Sequence, residues 1–145
     1  MKVSRSTRIW LYGTFSILFV TGLAWFCLHR QSVGLDRSGA DWHVSLQPWL
    51  LKIHGAAAMA FLVVFGVLIP THIKKGIAAQ RKLFSGFAVI GIMAALTVTG
   101  YALYYAGGVN MRAVASGIHT FIGVASPGLL ALHVLYAPIK RRRKH

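Results

Sequence analysis

Residues 53–73 read IHGAAAMAFLVVFGVLIPTHI, a stretch without Asp, Glu, Lys or Arg that has a histidine near each end. Roughly 20 apolar residues are enough for an α-helix to cross a hydrocarbon layer of about 30 Å. The stretch therefore predicts a transmembrane helix. Its two imidazoles, His54 and His72, need partners there, because polar side chains are costly inside a bilayer.

Three further segments also lack charged side chains and are long enough to span a membrane: residues 9–29, 83–111 and 113–139. Hydrophobic residues make up 56% of the 145 residues and charged residues 12%, whereas a soluble domain has about a quarter charged residues. The sequence thus predicts an all-α integral membrane protein with one transmembrane domain over residues 1–145. Its helices are expected at about residues 9–29, 50–73, 83–107 and 112–138.

The basic residues are distributed unevenly around these segments. Twelve of the sixteen precede the first segment, follow the second or follow the fourth, and the positive-inside rule then places both termini in the cytoplasm. This distribution explains the net charge of +14 without nucleic-acid binding. The links at residues 74–82 and 107–112 are short enough to require antiparallel neighbours. We therefore expect an up-down-up-down four-helix bundle in the bacterial cytoplasmic (inner) membrane.

The apolar stretch of the first segment is too long for a usual signal peptide, and no small-residue cleavage pattern follows it. After it comes the longest predicted loop, residues 30–49, which contains both acidic residues, Asp36 and Asp41. This loop is expected on the outer side of the membrane. The single cysteine, Cys27, excludes a CxxCH site for covalent haem within this sequence.

The two halves of the chain resemble each other. Residues 13–26 read GTFSILFVTGLAWF and residues 91–104 read GIMAALTVTGYALY, with Gly, Leu, Val, Thr, Gly and Ala at the same offsets. The second segment then opens with KIHG and the fourth with GIHT. This pattern predicts an internal repeat related by a pseudo-twofold axis along the membrane normal. Chance likeness between apolar helices is the alternative.

Four of the seven histidines lie in the apolar segments, on the second and fourth: His54, His72, His119 and His133. In an ideal α-helix the first pair is separated by five turns, about 27 Å, and the second by nearly four turns, about 21 Å. Each pair is expected on one helix face, with His54 level with His119 and His72 level with His133. Facing imidazoles in a helix bundle can hold a haem iron from both sides. The spacing therefore predicts two haems, each held by two histidines, or one if His72 is a surface histidine.

Other interpretations of these residues remain open. Zinc prefers four close ligands, and each level offers two histidines; a buried histidine can also simply hydrogen-bond a neighbouring helix. Gly123 is expected either to leave helix surface open to a porphyrin or to allow close helix packing. The two histidine spacings differ by about 6 Å, so a kink is expected, with Pro70 and residues 126–128 (SPG) as its sites.

The motif IHTFIGVASPGLLALH in the fourth segment, together with the four-helix plan, resembles the four-helix di-haem cytochrome b families. These include bacterial b-type cytochromes and the membrane cytochrome b subunits of formate dehydrogenases and nickel-iron hydrogenases. The resemblance implies noncovalent b haem held by pairs of histidines, and electron exchange between the quinone pool and a redox partner. In several such relatives the partner ligands come from two different helices, whereas His54 and His72 here share one segment.

We therefore predict a transmembrane b-type cytochrome with His54, His119, His72 and His133 as iron ligands and no catalytic residues. Filled axial positions leave no open site for oxygen or peroxide, so the predicted role is electron transfer. The expected partners are membrane lipid, a quinone and a c-type cytochrome or iron-sulfur subunit. The rival hypotheses are a redox-inert membrane anchor or assembly subunit, and a haem or metal transporter.

Overall fold

The computed structural model describes residues 3–34, 41–79 and 83–142. Within these ranges all regular structure is helical: α1 (Arg5–Gly34), α2 (Asp41–Leu68), a π-helical turn (Ile69–Ile73), α3 (Lys74–Ala78), α4 (Leu83–Tyr105) and α5 (Val109–Arg142). Four helical stretches are long and apolar enough to span a membrane: Arg5–Gln31, Ser45–Ala78, Phe84–Tyr105 and Val109–Leu135. The predicted helical class and its four candidate membrane helices are thus confirmed. The bundle topology and the cytoplasmic termini stay predictions.

The helices extend beyond the apolar segments from which they were predicted. α1 begins at Arg5 because Ser4 caps it, with the Thr7 backbone N–H donating to Ser4 Oγ at 3.1 Å. α2 begins at Asp41 rather than near residue 50, so much of the predicted outer loop is helical. Trp42 lies in this extension, and interfacial aromatic residues let a helix continue past the hydrocarbon layer. Asp36 and the side chain of Asp41 lie outside the part that the structure describes.

The connection between α4 and α5 is shorter than predicted. The Ala106 N–H donates to the Ala102 carbonyl at 2.8 Å, and the Arg112 N–H already donates to the Gly108 carbonyl at 3.0 Å. Only residues 106–108 lie between the two helices. Consecutive glycines favour such a break, because glycine has little helix propensity.

The second segment is interrupted by the π-helical turn. Pro70 has no backbone N–H and its ring crowds the preceding turn, which disrupts a regular α-helix. In the structure the Lys74 N–H donates to the Ile69 carbonyl, five residues earlier, as expected for a π-helix. The hydrogen-bond pattern therefore changes at Pro70, one of the two predicted kink sites. At the other, residues 126–128, α5 stays helical, and the kinks themselves stay predictions.

The chain forms two compact units, Met1–Lys75 and Gly76–His145. We call α1 with α2 hairpin 1, and α4 with α5 hairpin 2, because in each unit the two long helices pack against each other. In hairpin 1 the residue numbers of the contacts fall along α1 as they rise along α2: His29 contacts Gln47, Thr21 contacts His54, and Phe15 contacts Phe61. Hairpin 2 pairs Thr99 with His119 and Ser85 with His133. Both hairpins are thus antiparallel, as predicted.

Large apolar side chains are widely exposed on both hairpins. Met59 is 73% exposed, Val63 72% and Phe121 78%. In water so much apolar surface would favour association or aggregation. Such a surface instead suits a hydrocarbon environment, where helices are held together by packing and interhelical hydrogen bonds rather than by exclusion of water.

Candidate functional site

His54 is held in hairpin 1 by the facing helix. Its Nδ1 lies 3.1 Å from Thr21 Oγ1 on α1. The Thr21 hydroxyl also contacts the Ile17 carbonyl at 2.7 Å, one turn earlier on its own helix. Thr21 is buried and His54 is half-buried. The histidine is thus attached to α1 by a specific polar contact within apolar surroundings.

His119 is held in hairpin 2 in the same way. Its Nδ1 lies 3.0 Å from Thr99 Oγ1 on α4, and the Thr99 hydroxyl contacts the Ala95 carbonyl at 2.7 Å. Thr99 and His119 are both half-buried. Two histidines predicted to be equivalent therefore have equivalent surroundings, each within its own hairpin.

These contacts indicate which ring nitrogen carries the proton. A threonine hydroxyl has one hydrogen, and at both positions the short contact to a backbone carbonyl takes it. The hydroxyl oxygen is then left to accept from Nδ1–H of the imidazole. In a neutral imidazole of this tautomer the lone pair is on Nε2, the atom that can bind a metal.

A glycine lies against each imidazole. A Cβ built on Gly22 would be 3.1 Å from His54 Cε1, and one built on Gly100 would be 3.4 Å from His119 Cε1. Both glycines directly follow the hydrogen-bonding threonines. Each Thr-Gly dipeptide of the internal repeat therefore contacts one of the two histidines. We call this arrangement, a threonine hydroxyl at Nδ1 and a glycine against the ring, an imidazole seat. Sequence reasoning identified the dipeptides as a repeat but did not assign them this role.

The hydrogen bonds are too weak to explain the hairpins by themselves. Interhelical side-chain hydrogen bonds in membrane proteins contribute about 0.6 kcal/mol on average. Packing of apolar side chains, such as Phe15 against Phe61 with ring centroids 6.2 Å apart, supplies most of the contact between the helices. The threonine contacts therefore orient the imidazoles more than they stabilise the fold.

His133 also has a hydroxyl partner, on the facing helix of hairpin 2. Its Nδ1 lies 3.1 Å from Ser85 Oγ near the start of α4. His133 and Ser85 are half-buried. Hairpin 2 thus holds both of its predicted ligands through Nδ1, one at each end of the α4–α5 contact.

His72 occupies a different setting. It lies in the π-helical turn, is half-buried, and is followed by the exposed Lys74 and Lys75. The predicted common face for His54 and His72 assumed 100° per residue throughout, and this turn departs from α-helical geometry before His72 is reached. In the repeat, the position equivalent to His133 is Leu68, which is buried. By this alignment neither His72 nor His133 has an equivalent histidine in the other hairpin.

Gly123 lies in α5 opposite Leu96 of α4. A Cβ built at this position would meet Leu96 Cδ2 at 3.9 Å, an ordinary van der Waals contact, so the helices leave room for a side chain here. Both interpretations of Gly123 stay predictions. Ser16, Ile17, Val20 and Thr21 line a shallow, open apolar surface on α1.

Among residues 3–34, 41–79 and 83–142, no three His, Cys, Asp or Glu side chains come together as ligands for a metal ion. Haem iron needs fewer protein ligands, since the porphyrin nitrogens occupy four positions and the protein supplies the axial ones. A haem-binding imidazole commonly donates its second N–H to a fixed acceptor. Thr21 and Thr99 supply such an acceptor to His54 and His119, each within its own hairpin. Each of these two imidazoles therefore fits the axial position of a haem.

Comparison with known proteins gives no relative: no family model, no curated protein and no solved structure matches the sequence. The resemblance to di-haem cytochromes b consequently stays a prediction that rests on the histidines and their spacing.

The two glycines differ in clearance, which gives a first prediction. We expect Gly22→Ala to displace His54, because 3.1 Å is closer than a real Cβ normally approaches carbon. Gly100→Ala is the matched control, since its 3.4 Å separation from His119 is nearly ordinary contact. If the protein binds haem as the resemblance predicts, low-temperature electron paramagnetic resonance of its ferric form should show altered g-values for Gly22→Ala and little change for Gly100→Ala. Equal spectra for wild type and both variants would contradict the prediction.

Proposed function

We propose that this chain is an integral membrane b-type cytochrome that transfers electrons between the quinone pool and a redox partner. The observation that carries the proposal is an imidazole seat built twice: a histidine whose Nδ1 contacts a threonine hydroxyl and whose ring lies against a glycine. With Nδ1–H held by the hydroxyl, Nε2 is the nitrogen of the neutral imidazole that can bind iron. Neutral imidazole with a fixed Nδ1–H is the usual form of a metal-binding histidine.

The four intramembrane histidines form the proposed ligand set. His54 and His119 would hold the outer haem, and His72 and His133 the inner one. When bound, a b haem supplies a reversible one-electron ferric-ferrous couple. The residues of the chain supply the rest: imidazoles that occupy the axial positions, hydroxyls that orient them, and apolar helices that exclude water.

The partners follow from this chemistry. A quinone is a redox molecule that dissolves in the bilayer surrounding the exposed apolar side chains, and it can deliver or accept electrons at a haem edge. The sequence carries no cofactor motif besides the histidines, so a c-type cytochrome or an iron-sulfur subunit would continue the electron path. The distribution of basic residues supports a place in the bacterial inner membrane with both termini in the cytoplasm.

The test is the haem content of the purified full-length protein. We expect about two b haems per chain, from two axial pairs, measured by the dithionite-reduced minus oxidised spectrum and a pyridine extract. Protein from cells supplied with a haem precursor is the appropriate sample, because it removes haem shortage as an explanation. About one haem per chain would retain the outer site and remove His72 from the ligand set.

Absence of haem from such a preparation would overturn the proposal. The chain would then be better described as a redox-inert anchor or assembly subunit, with histidines that join helices through Thr21, Thr99 and Ser85. Haem that dissociates readily and is present in less than one copy per chain would instead favour the transporter hypothesis.

A further inference from the structure

Thr21 and Thr99 have a hydrogen-bonding pattern that other threonines of the same helices lack. Thr14 lies two turns before Thr21 on α1, is also buried, and directs its hydroxyl to the Trp10 carbonyl at 2.7 Å. Thr97, next but one to Thr99 on α4, contacts the Met93 carbonyl at 2.8 Å. Thr14 and Thr97 thus each donate their hydroxyl hydrogen to a backbone carbonyl of their own helix. The additional contact to an imidazole distinguishes positions 21 and 99.

The chemistry of this contact bears on the metal-binding nitrogen. A hydroxyl that already donates a hydrogen bond is a better acceptor, because hydrogen bonds in a chain polarise one another. Acceptance of Nδ1–H makes the imidazole more electron-rich and more basic at Nε2. A more basic axial ligand stabilises ferric iron relative to ferrous iron, since ferric iron carries the larger charge.

We propose that Thr21 and Thr99 are positioning residues, each of which lowers the reduction potential of the haem that its histidine ligates by fixing and polarising that axial imidazole. This inference rests on the proposed haem function. Each threonine acts through one histidine, Thr21 through His54 and Thr99 through His119. If those histidines share one iron, both threonines affect the same one-electron couple.

The experiment is a potentiometric titration of the haem absorption band in full-length Thr21→Val and Thr99→Val proteins. We expect each substitution to reduce the preference for the ferric state on the order of tenfold, an upward shift of about 59 mV for a one-electron couple. The titration should show two one-electron waves, one for each haem. The midpoint potential of one wave should rise, and that of the other should equal the wild-type value. The double variant should move the same wave further.

Matched controls separate this effect from a general change in the helices. Thr14→Val and Thr97→Val remove the same kind of backbone contact without touching an imidazole, so their titrations should match the wild type. Thr21→Ser and Thr99→Ser keep the hydroxyl and should retain the wild-type potential. If a valine variant fails to bind haem, the serine variant at that position decides, because it tests the hydroxyl in a protein with the same helix packing.

The proposal is overturned if Thr21→Val and Thr99→Val bind two haems and titrate like the Thr14 and Thr97 controls. It is also overturned if the serine variants shift or lose haem as the valine variants do, since the hydroxyl would then not be the determinant. These results differ from a failure of the proposed function, which would show as absence of haem from the wild-type protein.

Discussion

Protein in which His119 is replaced by alanine is expected to hold about one b haem per chain instead of about two. The methyl group of alanine cannot ligate iron, and Thr99 would lose the imidazole that its hydroxyl contacts at 3.0 Å. The measurement is the reduced minus oxidised spectrum with a pyridine extract. His54→Ala should give the same result, because we propose that both imidazoles serve one iron.

The double variant His54→Ala/His119→Ala makes this test decisive. If the two ligands share a haem, the double variant still holds one, since both single changes remove the same site. Complete loss of haem from the double variant, with about half lost in each single variant, would show that His54 and His119 belong to different haems. His29→Ala is the control: this exposed histidine stacks on Trp25 at 4.7 Å and should be dispensable.

The second large effect is expected at the other end of hairpin 2. His133→Ala should remove the inner haem and leave the outer one, so that the remaining spectrum is the one missing from His119→Ala protein. His72→Ala should behave in the same way if the π-helical turn presents its imidazole to the same iron. The variant His119→Ala/His133→Ala should then contain no haem.

His72 is the informative member of this set. Two haems with unchanged spectra in His72→Ala protein would show that the inner iron takes its second ligand elsewhere. Because His72 lies beside Lys74 and Lys75 in an irregular turn, a role as a surface histidine would produce that result. Ser85→Ala is a milder variant at the same haem: it removes the hydroxyl 3.1 Å from His133 Nδ1 and should retain haem.

Composition was sufficient to predict the four helices, because a charge-free apolar run of this length has few other stable conformations in a bilayer. The first turns of α2 could not be predicted in this way. Their sequence, DWHVSLQPW, is polar enough for a loop and contains a proline. The π-helical turn was predictable only as a disturbance, since Pro70 indicates a break but not the hydrogen-bond pattern that replaces it.

The candidate site was predictable in its residues and not in its contacts. Spacing selected His54 and His119, but the partner of each depends on how two helices pack, and an apolar helix offers many similar registers. Only the structure aligns Thr21 with His54 and Thr99 with His119. In the sequence the Thr-Gly dipeptides were visible only as part of the repeat, at matching offsets from Gly13 and Gly91.

The two hairpins are alike along only part of their length. The Thr, Gly and His of the predicted outer end are the same in both copies, down to the ring nitrogen that faces the hydroxyl. At the opposite end one copy has His133 in an unbroken helix, while the other has Leu68 in that place and a histidine four residues later, inside the π-helical turn. The two hairpins therefore share one way of holding an imidazole at the end of His54 and His119, and they differ in the position and backbone setting of the histidine at the other end.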